Sequence, residues 1–192
     1  MKRAASMAPE KLARLEQLLD RQDILDCLTR FSRGMDRFDR ELFLSAFHPD
    51  ATIAAGDFVG GPVPLYDWAS NLHEQGQVAT SHNLLNLTCE IEGDTAHTET
   101  YYLFVGRNRD ASNWIAGGRY LDRLERRGGE WKIALRCNAV EWSGTVPTMP
   151  IPFADVPGIA QNGAASRSRE DISYRRPLTN RREPHIPSGA KA

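Results

Sequence analysis

From Pro9 to Met35 the apolar residues Leu12, Leu15 and Leu19, then Ile24, Leu28, Phe31 and Met35, recur at steps of three and four, the stripe of an amphipathic helix. Pro9 suits its first turn, and Gly34 weakens its end just before Asp36-Arg37-Phe38-Asp39. Asp39 is placed to cap a second, short helix from Arg40 to Phe47, whose apolar face is Leu42, Phe43, Ala46 and Phe47 and which His48-Pro49-Asp50 stops. Ala51 to Ala55 reads as a short strand and Gly60-Gly61-Pro62 as a turn. A third helix is predicted from Pro64 to Glu74, with Leu65, Trp68, Ala69 and Leu72 on one side.

After Gly76 the texture changes to four strand-like segments, residues 80–91, 95–106, 113–127 and 130–142. They are separated by Glu92-Gly93-Asp94, a polar loop from Arg107 to Asn113, and Gly128-Gly129, connections short enough to join antiparallel neighbours. Helices followed by strands predict an α+β class, three N-terminal helices packed on a curved antiparallel sheet. This domain spans residues 9–145. Beyond it the chain turns Pro-rich, and residues 146–178 are expected to cover a pocket or a partner subunit, because Val146 to Ile159 needs a surface to lie on. Residues 179–192 read as a disordered polar tail.

At 192 residues the chain fits one domain, and 24 basic against 25 acidic residues leave a net charge of −1. No general field draws it to nucleic acid or to an anionic membrane. No apolar stretch approaches the length of a membrane span, and MKRAASMAPEK lacks the apolar middle of a signal peptide, so a cytoplasmic protein is expected. Cys27, Cys89 and Cys137 fit neither a disulfide framework nor a zinc spacing and are read as core or near-core thiols. His48 is read as a helix-end group, His73 and His97 as solvent-facing, and His185 as part of the tail. These spacings suit no metal, and no phosphate loop, nucleophile elbow or dinucleotide fingerprint occurs.

A long twisted sheet facing three helices cannot close tightly at both ends and leaves an apolar cavity at its wider mouth. Asp36 follows the first helix at the lip of that cavity, and His82 opens the first long strand. Alternation puts His82, Leu84, Asn86 and Thr88 on one face and Leu85 and Leu87 on the other, without deciding which face is inward. Taken alone, Asp36 is a helix-end hydrogen-bond partner and His82 a satisfied strand histidine. Arg119 and Arg136 read as cross-strand partners of Asp122 or Glu141 before they read as ligand-binding groups.

RFSRGMDRFDRELFLSAFHPDA, SHNLLNL, GDTAHTETYYL, GGRYLDRLERRGGEWKI and SYRRPL, in this order and spacing, resemble the SnoaL-like branch of the nuclear transport factor 2-like superfamily over residues 15–178. The resemblance implies a cone-shaped fold and a homodimer through the convex sheet. It also implies kinship with small cofactor-free lyases of the scytalone dehydratase, bile-acid 7α-dehydratase and dehydrochlorinase type, which carry a His–Asp dyad in the pocket. Asp36 and His82 match those two positions. The dehydratases have a Tyr five residues before the Asp, where this chain has Phe31. Tyr101, Tyr102, Tyr120, Asn86 and Arg136 are the candidates to replace that donor.

The expected function is therefore a cofactor-independent lyase or isomerase acting on a small hydrophobic polycyclic, aromatic or steroid-like molecule. His82 and Asp36 are its catalytic pair, and Phe31, Trp68, Asn86, Tyr102, Tyr120 and Arg136 its substrate-binding residues; no metal or cofactor is called for. The alternative is a non-catalytic small-molecule-binding domain or accessory subunit, which Phe31 favours.

Overall fold

The long apolar stripe forms α1 (Pro9–Asp36), but only its second half is covered. Ile24, Cys27, Leu28, Phe31 and Met35 are buried, whereas Leu12, Leu15 and Leu19 stay exposed. The structure is a computed structural model that describes residues 8–150, 156, 158–163 and 165–184. Helix α1 ends in a sharp corner where Phe38 takes a left-handed backbone (φ 53°) and the Asp39 N–H returns to the Gly34 carbonyl at 2.9 Å. Gly34 is required there by proximity rather than by flexibility. A Cβ on it would lie 2.5 Å from the Phe43 backbone nitrogen of the crossing helix α2 (Arg40–Leu44). Asp39 caps α2 as its position suggests, its Oδ1 accepting from the Leu42 N–H at 3.2 Å.

Helix α2 stops earlier than its apolar face implies. Phe47 already belongs to β1 (Phe47–Ala55), which carries His48 and Pro49 inside the strand. His48 is thus not a helix-end group: it is buried, and its Nε2 lies 2.9 Å from the Glu125 carbonyl. Strand β2 (Phe58–Gly60) turns back on β1, and α3 (Pro62–Gly76) follows. The four long strands are β3 (Gln77–Glu92), β4 (Thr95–Asn108), β5 (Ser112–Arg127) and β6 (Glu130–Pro147).

All six strands form one sheet in the order β2-β1-β6-β5-β4-β3. The α+β class holds, and the β3 to β6 meander is antiparallel as the short turns require. The β1–β6 ladder is parallel, so the sheet is mixed. Register shifts at Leu84/Leu87, Gly117/Gly118 and Arg123/Leu124 bend the sheet around the helices and leave it unclosed. Its concave face packs Ala96, Tyr102, Phe104, Ala116, Tyr120, Leu124 and Ile133 against α1 and the α1–α2 corner.

Of the segment after β6, Arg169, Asp171 and Tyr174 meet that corner: the Tyr174 hydroxyl donates to Asp39 Oδ2 at 2.8 Å, and Arg169 reaches Asp39 Oδ1 at 3.1 Å. His185, residues 151–155 and most of the tail expectation fall outside the described residues. Cys27 and Cys89 are buried, but Cys137 is exposed because its β6 position falls on the convex face. Among the described residues no helix is long and apolar enough to cross a membrane.

Candidate functional site

Asp36 is the last residue of α1, and the Gly34–Phe38 corner turns its carboxylate toward the start of β3. Its two oxygens are both engaged by one residue: Oδ2 accepts the His82 backbone N–H at 2.8 Å, and Oδ1 faces His82 Nδ1 at 2.7 Å. A carboxylate only accepts, so Nδ1 carries a hydrogen, and in the neutral ring Nε2 keeps its lone pair. Both side chains are largely covered, at 9% exposed for His82 and 13% for Asp36. The imidazole is held among aromatic rings, edge-on to Phe104 (4.9 Å between centroids) and to Phe31 (6.1 Å).

His82 borders a cavity of about 310 Å³ between the helices and the concave sheet. Phe31, Trp68, Tyr102, Tyr120 and Arg136, all named from sequence, line it together with Met35, Leu65, Trp114 and Ala116. Asn86 does not. The register shift between Leu84 and Leu87 reverses the alternation, so Leu87 and Cys89 turn inward while Asn86 and Thr88 are exposed. Tyr101 points to the convex face for the ordinary reason that its neighbour Tyr102 points in.

Arg136 enters the concave face from β6 and is 1% exposed. Asp122 binds it through two hydrogen bonds of 2.7 Å, the cross-strand pairing expected from sequence; Arg119 likewise pairs with Glu141 at 2.6 Å. The Arg136 guanidinium lies 4.0 Å from the Phe31 ring centre and 4.3 Å from that of Tyr120, and its Nη1 has no protein partner among the described residues. Phe31 therefore contributes a π face to the cation in place of a hydroxyl. Burial pushes the Tyr120 and Tyr102 phenols up, so both stay protonated as donors. Among the described residues no group of three or more His, Cys, Asp or Glu is arranged to hold a metal ion.

His73 corrects the sequence reading most. Expected in solvent, it is 8% exposed and lines the cavity, stacked on Phe104 at 5.4 Å and edge-on to His82 at 5.6 Å. Leu65, Ala69 and His73 recur at steps of four along α3, so the period that covers Leu65 and Ala69 carries His73 inward with them. Burial lowers the His73 pKa to about 4, helped by His82 and Arg167, while the Gln77 hydrogen bond and Asp36 oppose the shift. An unfolded histidine titrates near 6.5, so between about pH 6.5 and 4 the unfolded chain binds the extra proton. Stability should be full above pH 6.5 and fall as pH drops through this window, by up to about 1.4 kcal/mol per pH unit from this residue. Urea melts of wild type and His73→Phe across pH 4–7 test this; parallel curves would contradict it.

The cone of sheet on helices, with its largely apolar cavity, has the architecture of a small-molecule pocket domain. The family model described as SnoaL-like domain matches residues 16–137, and the chain belongs to this family. A hexachlorocyclohexane dehydrochlorinase of type 2 is similar at 25% identity over 76% of this chain and 99% of that one, with a TM-score of 0.64. The type 3 enzyme from Novosphingobium barchaimii shares 20% identity over 72% and 99%, with a TM-score of 0.65. A scytalone dehydratase-like protein from Novosphingobium aromaticivorans shares 18% over 69% and 91%, with a TM-score of 0.61. Comparison with curated proteins returns no match.

Proposed function

We propose that this chain is a cofactor-independent lyase or isomerase for a small hydrophobic polycyclic or aromatic molecule, with His82 as general base and Asp36 orienting it. The observation that supports this best is the Asp36 carboxylate, both of whose oxygens engage His82, with the His82 ring bordering an apolar cavity. Nε2 takes a proton from carbon next to an activating group, and Asp36 stabilises the imidazolium that forms. The electron pair left on carbon becomes a double bond as the neighbouring carbon–oxygen bond breaks. The imidazolium then returns its proton to the departing hydroxyl, so water leaves and His82 is restored. In an isomerisation the same proton goes back to a different carbon. Arg136, whose Nη1 has no partner among the described residues, is the group to stabilise developing negative charge.

The similar dehydrochlorinases and scytalone dehydratase-like protein are consistent with an elimination of this kind. Exposed Tyr101, Leu121, Leu135 and Cys137 on the convex sheet suit assembly as a homodimer. Incubating the protein with hydroxysteroids, naphthols and polyketide-like phenols, followed by mass and isomer analysis, tests the reading. Loss of water or a shifted double bond is expected. Thermal stabilisation with no chemical change in any compound would overturn catalysis and leave the binding-domain alternative that Phe31 favours.

A further inference from the structure

The proposed elimination requires one imidazole, yet the cavity holds two. His73 is tied to the surface by a run of hydrogen bonds whose direction is decided at its far end. Asp110, exposed in the β4–β5 turn, receives both the Ser112 N–H at 3.0 Å and the Ser112 hydroxyl at 2.6 Å. Having donated its hydrogen to a carboxylate, the Ser112 oxygen can only accept from Asn108 Nδ2, at 2.9 Å. That turns Asn108 Oδ1 toward Gln77, whose Nε2 donates to it at 3.1 Å. Gln77 must then offer Oε1 to His73 Nδ1, also at 3.1 Å.

An amide oxygen accepts and never donates, so His73 Nδ1 bears the hydrogen and, with the ring held neutral, Nε2 is a bare acceptor. No described residue donates to it. When His82 is neutral the two rings share one tautomer, each with its Nδ1–H engaged, and they lie 5.6 Å apart and nearly perpendicular (77°). Tyr102, Tyr120, Trp114 and Arg136 bring N–H or O–H donors to the lining, and the acceptors it offers are Asn138 Oδ1, His82 Nε2, which the proposed reaction uses as its base, and His73 Nε2, which that reaction leaves unused.

We infer that His73 Nε2 is the specificity-determining acceptor of this cavity, taking a hydrogen bond from a hydroxyl of the bound molecule and so selecting alcohols and phenols over hydrocarbons or ethers of the same shape. This rests on the reading of the cavity as a small-molecule site but not on His82 turning anything over. The Asp110–Ser112–Asn108–Gln77 relay is the device that holds the tautomer.

Two measurements on the full chain test it. In the ¹⁵N-labelled protein at pH 7, long-range ¹H–¹⁵N spectra should show His73 with Nδ1 protonated and Nε2 bare. Asp110→Ala, exposed and outside the cavity, frees Ser112 to donate inward and should introduce the other tautomer. By calorimetry, 2-naphthol should bind about tenfold more tightly than 2-methylnaphthalene, a preference of the size one hydrogen bond supplies. His73→Phe, which keeps the ring against Phe104, should erase the preference, and His82→Phe should retain it. A protonated Nε2, a preference that survives His73→Phe or vanishes with His82→Phe, or no binding of 2-naphthol would each overturn the inference. Absence of turnover with these results intact would instead count against the lyase reading alone.

Discussion

Replacing His82 by alanine is expected to lower kcat about 10²–10⁴-fold for any substrate the wild-type protein converts, the range in which a positioned general base contributes. Affinity for the same compound should change only a few-fold, because His82 is one edge of a cavity whose remaining lining is untouched. Asp36→Asn should cost about as much, for a reason of hydrogen-bond polarity. The His82 backbone N–H already claims one Asp36 oxygen, so an asparagine there would keep its amide oxygen for that N–H and turn its NH₂ toward Nδ1. Nδ1 would then have to accept, the hydrogen would move to Nε2, and the base would be lost without any change in fold. Single-turnover kinetics on both variants, with circular dichroism as the control for folding, check this. Wild-type turnover in His82→Ala would remove His82 from the mechanism.

Asp122→Ala is expected to destabilise the fold by about 3–5 kcal/mol, the effect of leaving one member of a buried ion pair without its partner. The two side chains are essentially sealed, at 2% exposed for Arg136 and 0% for Asp122, and both guanidinium contacts to the carboxylate are 2.7 Å. Cation–π contacts to Phe31 and Tyr120 cannot substitute for a counter-charge in that environment. Denaturant melts of Asp122→Ala and of the double variant Asp122→Leu/Arg136→Met separate the two contributions. The double variant should recover much of the loss, since removing both charges removes the uncompensated one. A loss below about 1 kcal/mol in the single variant would mean that water reaches Arg136 in solution.

How much of this was legible in the chain varies by element. Period and turn chemistry located β4 to within a residue at its start and α1 to within one at its end, because a three-to-four or two-residue repeat reports directly which side of an element is apolar. The same repeat failed where a bulge intervened. In β3 one irregularity after Leu84 exchanged the faces of everything downstream, exposing Asn86 and burying Cys89. Bulges leave no periodic trace, since they arise from the curvature the sheet must take to wrap its helices.

Local pattern by itself determined that the chain is α+β, that three helices precede a meander, and that Asp39 starts a helix. These follow from interactions spanning a few residues. Family likeness paired Asp36 with His82, whereas only tertiary structure gave the pair its geometry: both Asp36 oxygens on one histidine, Nδ1 as the nitrogen they engage, and aromatic rings around it. The parallel β1–β6 ladder and the burial of His73 were likewise settled by folding. The side chain of His73 is the same whether it faces water or a cavity. Which of the two it meets depends on His82 and Phe104, against which its ring packs, and on the Gln77–Asn108 hydrogen bond, groups brought together only once β3 and β4 lie side by side beneath α3.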